Sequence, residues 1–435
     1  MKKILFIILF TFSLVTLVHA QDDVYPTKEY KGLLFIKNAT IHIGNGQVIE
    51  NGTIQVNNGK IEKVGQNIST PAGDVKVVDA KGKQVYPGLI LSTSQLGILE
   101  IGGNAVRGSN DYNELGDYNT DIRSIVAYNA DSKIIGTLRA NGILLVNTIP
   151  QGGLLPGSST VVQLDAWNYE DAAYKTDVAI HFNMPELLNR PRGFFARQQP
   201  EVDVVKQGLE KIEQVKDFFR QAKAYLQEGA HKETNLKFEA LKPLFEKKQK
   251  LFIHCTIVKQ MLIAIDFAKE FGFDVVLVGA SESYQIADLL KQNNIAVILS
   301  QEHALPTAED DDVDQPYKTP AMLQKAGVLF SLTDEDETTR HRNLMFNAGT
   351  ASAYGLTKEE ALTAITLNAA KILGIDDRTG SIEVGKDANI IISEGDILDM
   401  RTSIITDAFI QGRNVSLENK QKQLYERYKS KYGLK

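Results

Sequence analysis

Across the middle of the chain, apolar runs of β-forming residues alternate with amphipathic helical stretches, while both ends carry short strands set off by Asn-Gly and Gln-Gly turns. These patterns predict an α/β protein: a (β/α)8 TIM-type barrel with a smaller composite β-sandwich domain built from both chain ends. Roughly eight such runs between residues 86 and 378 favour a closed barrel over an open sheet.

From the N-terminus, Met1-Lys2-Lys3 is followed by an apolar run from Ile4 to Val18, then Val18-His19-Ala20 and the polar Gln21-Asp22-Asp23. A basic start, a short apolar stretch and small residues before a polar break form a secretory signal peptide over 1–20, too short for a permanent span. No later stretch is long and apolar enough to cross a bilayer. The chain beyond the leader is longer than one ordinary domain. Of the 435 residues, 43% are hydrophobic and 23% charged, which is a globular composition. The net charge of −6 gives no electrostatic reason for a nucleic-acid partner. Cys255, the lone cysteine, excludes an internal disulfide, and none near residue 20 offers a lipid anchor. Export without disulfides points to a bacterial periplasm.

Residues 31–65 read as a meander: Leu33–Ile36, Ala39–Ile43, Ile49–Val56 and Asn58–Val64, with Asn51-Gly52 and Asn58-Gly59 as turns. His42 alternates with apolar neighbours and reads as structural. The central runs are Gly142–Val146, Thr160–Leu164, Val178–Phe182, Leu251–Cys255, Val275–Val278, Ala296–Leu299 and Val328–Leu332. Between them, Val205, Leu209, Ile212, Val215, Phe219, Ala222 and Leu226 share one helical stripe, and Met261–Ala268 continues the pattern. Continuous apolar strands alternating with helices imply a parallel sheet covered on both faces. Thr357-Lys358-Glu359-Glu360 is a capping box opening a helix from Ala361 to Leu373 that stops at Gly374. Strands return at Ala388–Ile392 and Asp407–Ile410, turned by Gln411-Gly412, and a last basic helix carries Leu417, Leu424, Tyr428 and Tyr432. That helix reads as solvated and docked on the body; a membrane-surface or partner-binding role is the alternative. The expected organisation is therefore 1–20 signal peptide, 21–86 with 380–416 composite β domain, 87–379 barrel, and 417–435 C-terminal helix.

Two motifs far apart carry a resemblance. Val85-Tyr86-Pro87-Gly88-Leu89-Ile90 closes the first strand-rich segment; Thr366–Gly374 and Gly380–Asn389 close the barrel and return to the β layer. Over nearly the whole chain beyond the leader, the sequence resembles the amidohydrolase superfamily, most nearly its imidazolonepropionase-like branch. The resemblance implies a site at the C-terminal mouth of the barrel, where histidines of the first and later strands and a last-strand aspartate hold one or two divalent metals. Such a metal lowers the pKa of a bound water and polarises the scissile carbonyl, while the aspartate handles the proton.

His254 matches the mid-barrel histidine and Asp334 the last-strand aspartate, the expected catalytic carboxylate. Thr93 and Gln95, in Leu91-Ser92-Thr93-Ser94-Gln95, stand where the first strand should carry two histidines, and Gly279 stands near the next expected one. A hydroxyl and an amide oxygen are poor substitutes for imidazole on zinc. What the resemblance leaves room for is a single zinc-like ion on His254 and Asp334. His181 and His303, with Glu302, lie at strand ends and could supplement them, although a hydrogen-bonded structural histidine is the stronger reading of each. Glu309 to Asp312 with Asp314 form an acidic loop that reads as solvated. Cys255, facing away from His254 along the strand, reads as core. The polar loop from Arg107 to Arg123 and the Gln151-Gly152-Gly153 segment are the remaining pocket candidates, and turns explain both.

Two functions remain open at this point. One is a hydrolase of carbon–nitrogen bonds other than peptides, or of cyclic amides, in a small molecule. The other is a non-catalytic barrel that binds a small molecule or an active relative. A homo-oligomer is compatible with either.

Overall fold

The computed structural model describes residues 25–73, 75–100, 111–188, 203–229, 231–300, 303–306, 310–334 and 340–434. The leader segment, residues 107–110 of the polar loop, Glu302 and Glu309 lie outside them.

Strands β1 (Leu33–His42), β2 (Val48–Asn57), β3 (Lys60–Gly65), β4 (Lys76–Asp79) and β5 (Gln84–Pro87) belong to one sheet. Asn58-Gly59 forms the β2–β3 hairpin turn with both residues at positive φ. Asn51-Gly52, expected as a turn, lies inside β2 instead. There β1 and β2 slip register between Ile36 and Ile41, and the positive φ of Asn38 and Asn51 marks a bulged irregularity within one long hairpin.

The centre begins with β6 (Leu89–Ser94), α1 (Lys133–Ala140) and β7 (Ile143–Thr148), then β8 (Gly157–Ser158), β9 (Thr160–Gln163), β10 (Ala173–Lys175) and β11 (Ala179–Asn183). The helix expected over 205–226 is α2 (Val204–Glu228), capped by the Asp203 side chain. Next come β12 (Lys250–Cys255), α3 (Val258–Phe271), β13 (Val275–Gly279), β14 (Ala296–Leu299), α4 (Gln315–Ala326) and β15 (Phe330–Leu332). Strands β11 through β15 lie parallel in chain order, and β6 lies parallel to β7. The apolar run at 160–164 departs from the all-parallel expectation: β9 runs antiparallel to β7, because no helical crossover separates them.

Side-chain alternation sorts these strands into two cores. Leu144, Val146, Ile180, Leu251, Ile253, Leu277 and Val297 pack with the covering helices, including Met261, Ala264 and Phe267. Ile90, Leu145, Val161, Ala179, Phe252, Val276 and Ile298 meet on the opposite face, with Ala369, Ala370 and Ile372 against them. The single expected helix 361–373 is two: after α5 (Leu344–Ala353) come α6 (Lys358–Ala364), opened by the Thr357/Glu360 capping box, and α7 (Leu367–Leu373), ended by Gly374 at φ +66. Thr366, at φ −132, breaks the helical path between them.

Strands β16 (Ile390–Ser393), β17 (Ile405–Ile410) and β18 (Arg413–Asn414) rejoin the first sheet, in the order β18-β17-β16-β5-β1-β2-β3 with β4 beside β1. Asp387 ties this layer to the centre, accepting from Tyr174 at 2.5 Å and Lys60 at 2.6 Å. The terminal α8 (Lys420–Lys431) leans on α1, where Thr137 donates to Gln421 at 3.1 Å, and its tyrosines are exposed. Among the described residues, no helix is long and apolar enough to cross a membrane.

Candidate functional site

The inner face of the strands changes character along its length. Two residues after the apolar inward position, Ile90 gives way to Ser92, Leu145 to Asn147, Ala179 to His181, Phe252 to His254 and Leu329 to Ser331. The period of two places these polar residues on the same face, toward the C-terminal strand ends. Ser92, Asn147, His181 and Ser331 are wholly buried. Reading by family position missed Ser92, Asn147 and Ser331, yet the apolar-to-polar step at spacing two was present in each run.

His181 and His254 meet directly, Nδ1 to Nε2 at 2.8 Å, with ring centroids 5.2 Å apart. A hydrogen bond between two imidazoles has one donor and one acceptor, so the two rings are not both protonated. Burial pushes the His254 imidazole down to about 4. Burial, then the neighbouring His254, holds His181 well below its ordinary value. The Nε2 atom of His181 is buried with no hydrogen-bond partner among the described residues. The ring edge of Phe252 packs on His181 at 5.4 Å.

Asp334 follows β15 and is buried. Its Oδ2 accepts from Asn347 of α5 at 3.2 Å, and its carbonyl accepts from Nδ1 of the buried His341. Strands β13 and β14 lie between Asp334 and the strand of His254. Thr93 pairs with Thr333 at 2.9 Å, and Ser92 with Ser331 at 3.0 Å. Both contacts reach from β6 to β15 because β6 slips register between Leu91 and Ser94. Asn147 donates to the Ser92 carbonyl at 3.1 Å. Gln95 lies past the end of β6, where its carbonyl accepts from Ile98 and Leu99 in a turn.

Register places Val278, not Gly279, beside His254; Gly279 pairs with Cys255 on the other face. At φ +90, Gly279 has no room for a side chain, since an added Cβ would come within 2.9 Å of the Cys255 carbonyl. It borders a cavity of about 80 Å³ shared with Ser281, Tyr284, Ser300 and Asp311. Cys255 is buried, and burial pushes its thiol up to about 12. His303 is exposed and bonds Thr350 of α5 at 2.7 Å, away from the imidazole pair. In the acidic loop, Tyr284 donates to Asp311 at 3.0 Å and Lys318 pairs with Asp312. Gly152 and Gly153 let the polar loop close on the strand end: an added Cβ would meet Asn113 and Gly116 well inside contact distance.

The donors do not fit the metal set that the resemblance implies. Two imidazole nitrogens on one tetrahedral zinc, each about 2.0–2.1 Å from it, stand about 3.3 Å apart with both lone pairs on the ion. Here they are 2.8 Å apart and share a proton. Among the described residues, no three side chains of His, Cys, Asp or Glu gather where one cation could bind them.

The sequence model of the amidohydrolase family matches residues 170–418, more than half of the chain. An imidazolonepropionase of Thermoplasma volcanium is 26% identical over 379 residues, covering 83% of this chain and 85% of that protein. An imidazolonepropionase of Shewanella sp. is 55% identical over 49 residues, only 12% of its length. Among solved structures, an amidohydrolase from Thermotoga maritima aligns with a TM-score of 0.76 at 27% identity, covering 88% of this chain and 99% of that one. A molinate hydrolase aligns at TM-score 0.52 and 16% identity over 90% of this chain and 96% of its own, a likeness of fold alone. Such neighbours imply a fold that contains a TIM barrel, in a family that generally uses divalent metal. The chain belongs to the amidohydrolase family, in its imidazolonepropionase-like branch.

Proposed function

We propose that this chain hydrolyses a carbon–nitrogen bond outside peptides, in a small amide or cyclic amide. In this reading its parallel strands close into a (β/α)8 barrel over 87–379, and segments 21–86 and 380–416 form the composite β domain. The observation that carries the proposal is the placing of His254 and Asp334 at the C-terminal ends of strands in one parallel sheet, in a chain of this family. The names of the imidazolonepropionase relatives support a cyclic amide as the substrate class. Asp334, held by Asn347, takes the proton of the attacking water. The neutral imidazole of His254 donates toward the oxygen of the opening carbonyl, and the proton on Asp334 leaves with the freed nitrogen. No step passes through a metal.

A second reading, binding without turnover, is favoured by one observation: His254 Nε2 is already engaged by His181. The two separate on a panel of lactams, imidazolones and small amides. The hydrolase reading expects ring opening of at least one compound and a loss of about 100-fold or more in Asp334→Asn, the usual contribution of a positioned proton acceptor. Binding of a panel compound with no product in wild type would establish the second reading and end the first.

A further inference from the structure

We propose that side-chain hydrogen bonds hold the mouth of this barrel where relatives would use a cation, so that the centre assembles complete with no bound metal. The inference rests on the placing of the centre at these strand ends. β6 ends the four-stranded sheet and β15 the six-stranded one, and no backbone ladder pairs the two. What joins them is a seam of hydroxyls: Ser92 to Ser331 at 3.0 Å and Thr93 to Thr333 at 2.9 Å, with Thr333 also reaching the Thr93 carbonyl at 3.4 Å. All four side chains are fully buried, so each hydroxyl has exchanged water for its partner across the seam. Asn147 extends the seam by donating to the Ser92 carbonyl.

The imidazole pair makes the second half of the lock. A cation entering beside His254 must break the 2.8 Å bond to His181 and spread two packed rings, one of which lies against Phe252. It would gain Thr93 in place of an imidazole, a neutral hydroxyl of little affinity for a zinc-like ion. Inserting the ion would therefore leave buried polar atoms on both flanks without their present partners, a cost that weak oxygen donors do not offset. The replacements are mutually consistent: where the first strand has no imidazoles, it has hydroxyls placed to bond the last strand.

The test uses the mature full chain purified without chelator. Metal content should fall far below one equivalent per chain, and the melting temperature should be unmoved by EDTA and show no saturable rise with added zinc or manganese. Thr93→Val and Thr333→Val should each lower the melting temperature by about 2–4 °C, and the double variant by less than their sum, since each single change already breaks the Thr93–Thr333 bond. A near-stoichiometric metal, a fall in melting temperature on chelation, or a zinc-induced rise complete at one equivalent would overturn the proposal. If the valine variants fail to fold, the wild-type metal and chelation measurements decide alone. Turnover by the metal-free chain keeps both readings, a metal-free inactive chain ends only the hydrolase reading, and turnover only with zinc bound ends only this one.

Discussion

His42 and His254 occupy comparable positions, each at or next to the last residue of its strand, yet their surroundings move their pKa values in opposite directions. Both ring nitrogens of His42 face oxygens, Glu359 at 2.6 Å and Gln84 at 2.9 Å, and the ring stacks on Tyr86 at 4.4 Å. Burial alone would lower its pKa, but the hydrogen bonds to Glu359 and Gln84 and the Glu359 charge outweigh that and raise it. With two acceptors in reach, the doubly protonated ring is favoured. His254 has an imidazole for a partner, gains no carboxylate, and stays neutral. Burial lowers both rings, and only His42 has hydrogen-bond acceptors that outweigh it. One histidine clasps β1 to α6 through a carboxylate; the other joins β11 to β12 through an imidazole–imidazole hydrogen bond.

The contrast can be broken most severely at the neutral pair. His181→Ala should cost about 3 kcal/mol in urea unfolding at pH 8, because it opens a cavity and strands His254 Nε2; a loss below about 1 kcal/mol would mean the pair is not structural. Acid should act through the same pair. Its folded pKa values lie below the unfolded value near 6.5, so the stabilisation is complete above that pH and fades as pH falls toward about 4. The loss, on the order of 3 kcal/mol, should shrink in His181→Phe, which removes one of the coupled rings. The clasp should show the reverse slope. Its folded pKa is raised, so its contribution is full below about 6.5 and is lost as pH rises through the folded value. His42→Gln should therefore cost about 1 kcal/mol at pH 5.5 and measurably less at pH 9; equal costs at both would refute the charged assignment. The smallest effect is kinetic. Cys255, next to His254, should resist a thiol reagent at pH 8 in the folded chain and react at once in denaturant, given its burial and raised thiol pKa.

The strands were legible because they are buried on both faces and read as unbroken apolar runs: β7, β11, β12, β13 and β14 fall where those runs lie. Direction was less legible. Thr148 and Thr160 are too close for a helical crossover, and that short gap was the available sign that β9 turns back antiparallel. The break between α6 and α7 had only the β-branched Ile365-Thr366 to announce it, a weak signal inside an apolar helix pattern. At the candidate centre, His254 and Asp334 are singled out by family position, whereas the Ser92–Ser331 and Thr93–Thr333 contacts depend on the β6 bulge, which decides which residues face inward. A local slip of this kind leaves no composition signal. Gly279 illustrates the same limit, since one residue of register separates it from the face that carries His254.

The pairing of β5 with β16 has a consequence for biosynthesis. β5 bonds β1 on one side and waits on the other for Ile390–Ser393, so everything from Gly88 to Asn389 must be made before that side is covered. At ordinary translation rates that interval is on the order of tens of seconds. During it the nascent chain presents an open β edge, the kind of surface that invites mispairing and chaperone capture. Deletion of β16 should thus be more damaging than the loss of four residues suggests, because it strands the opening layer of the molecule without its closing strand.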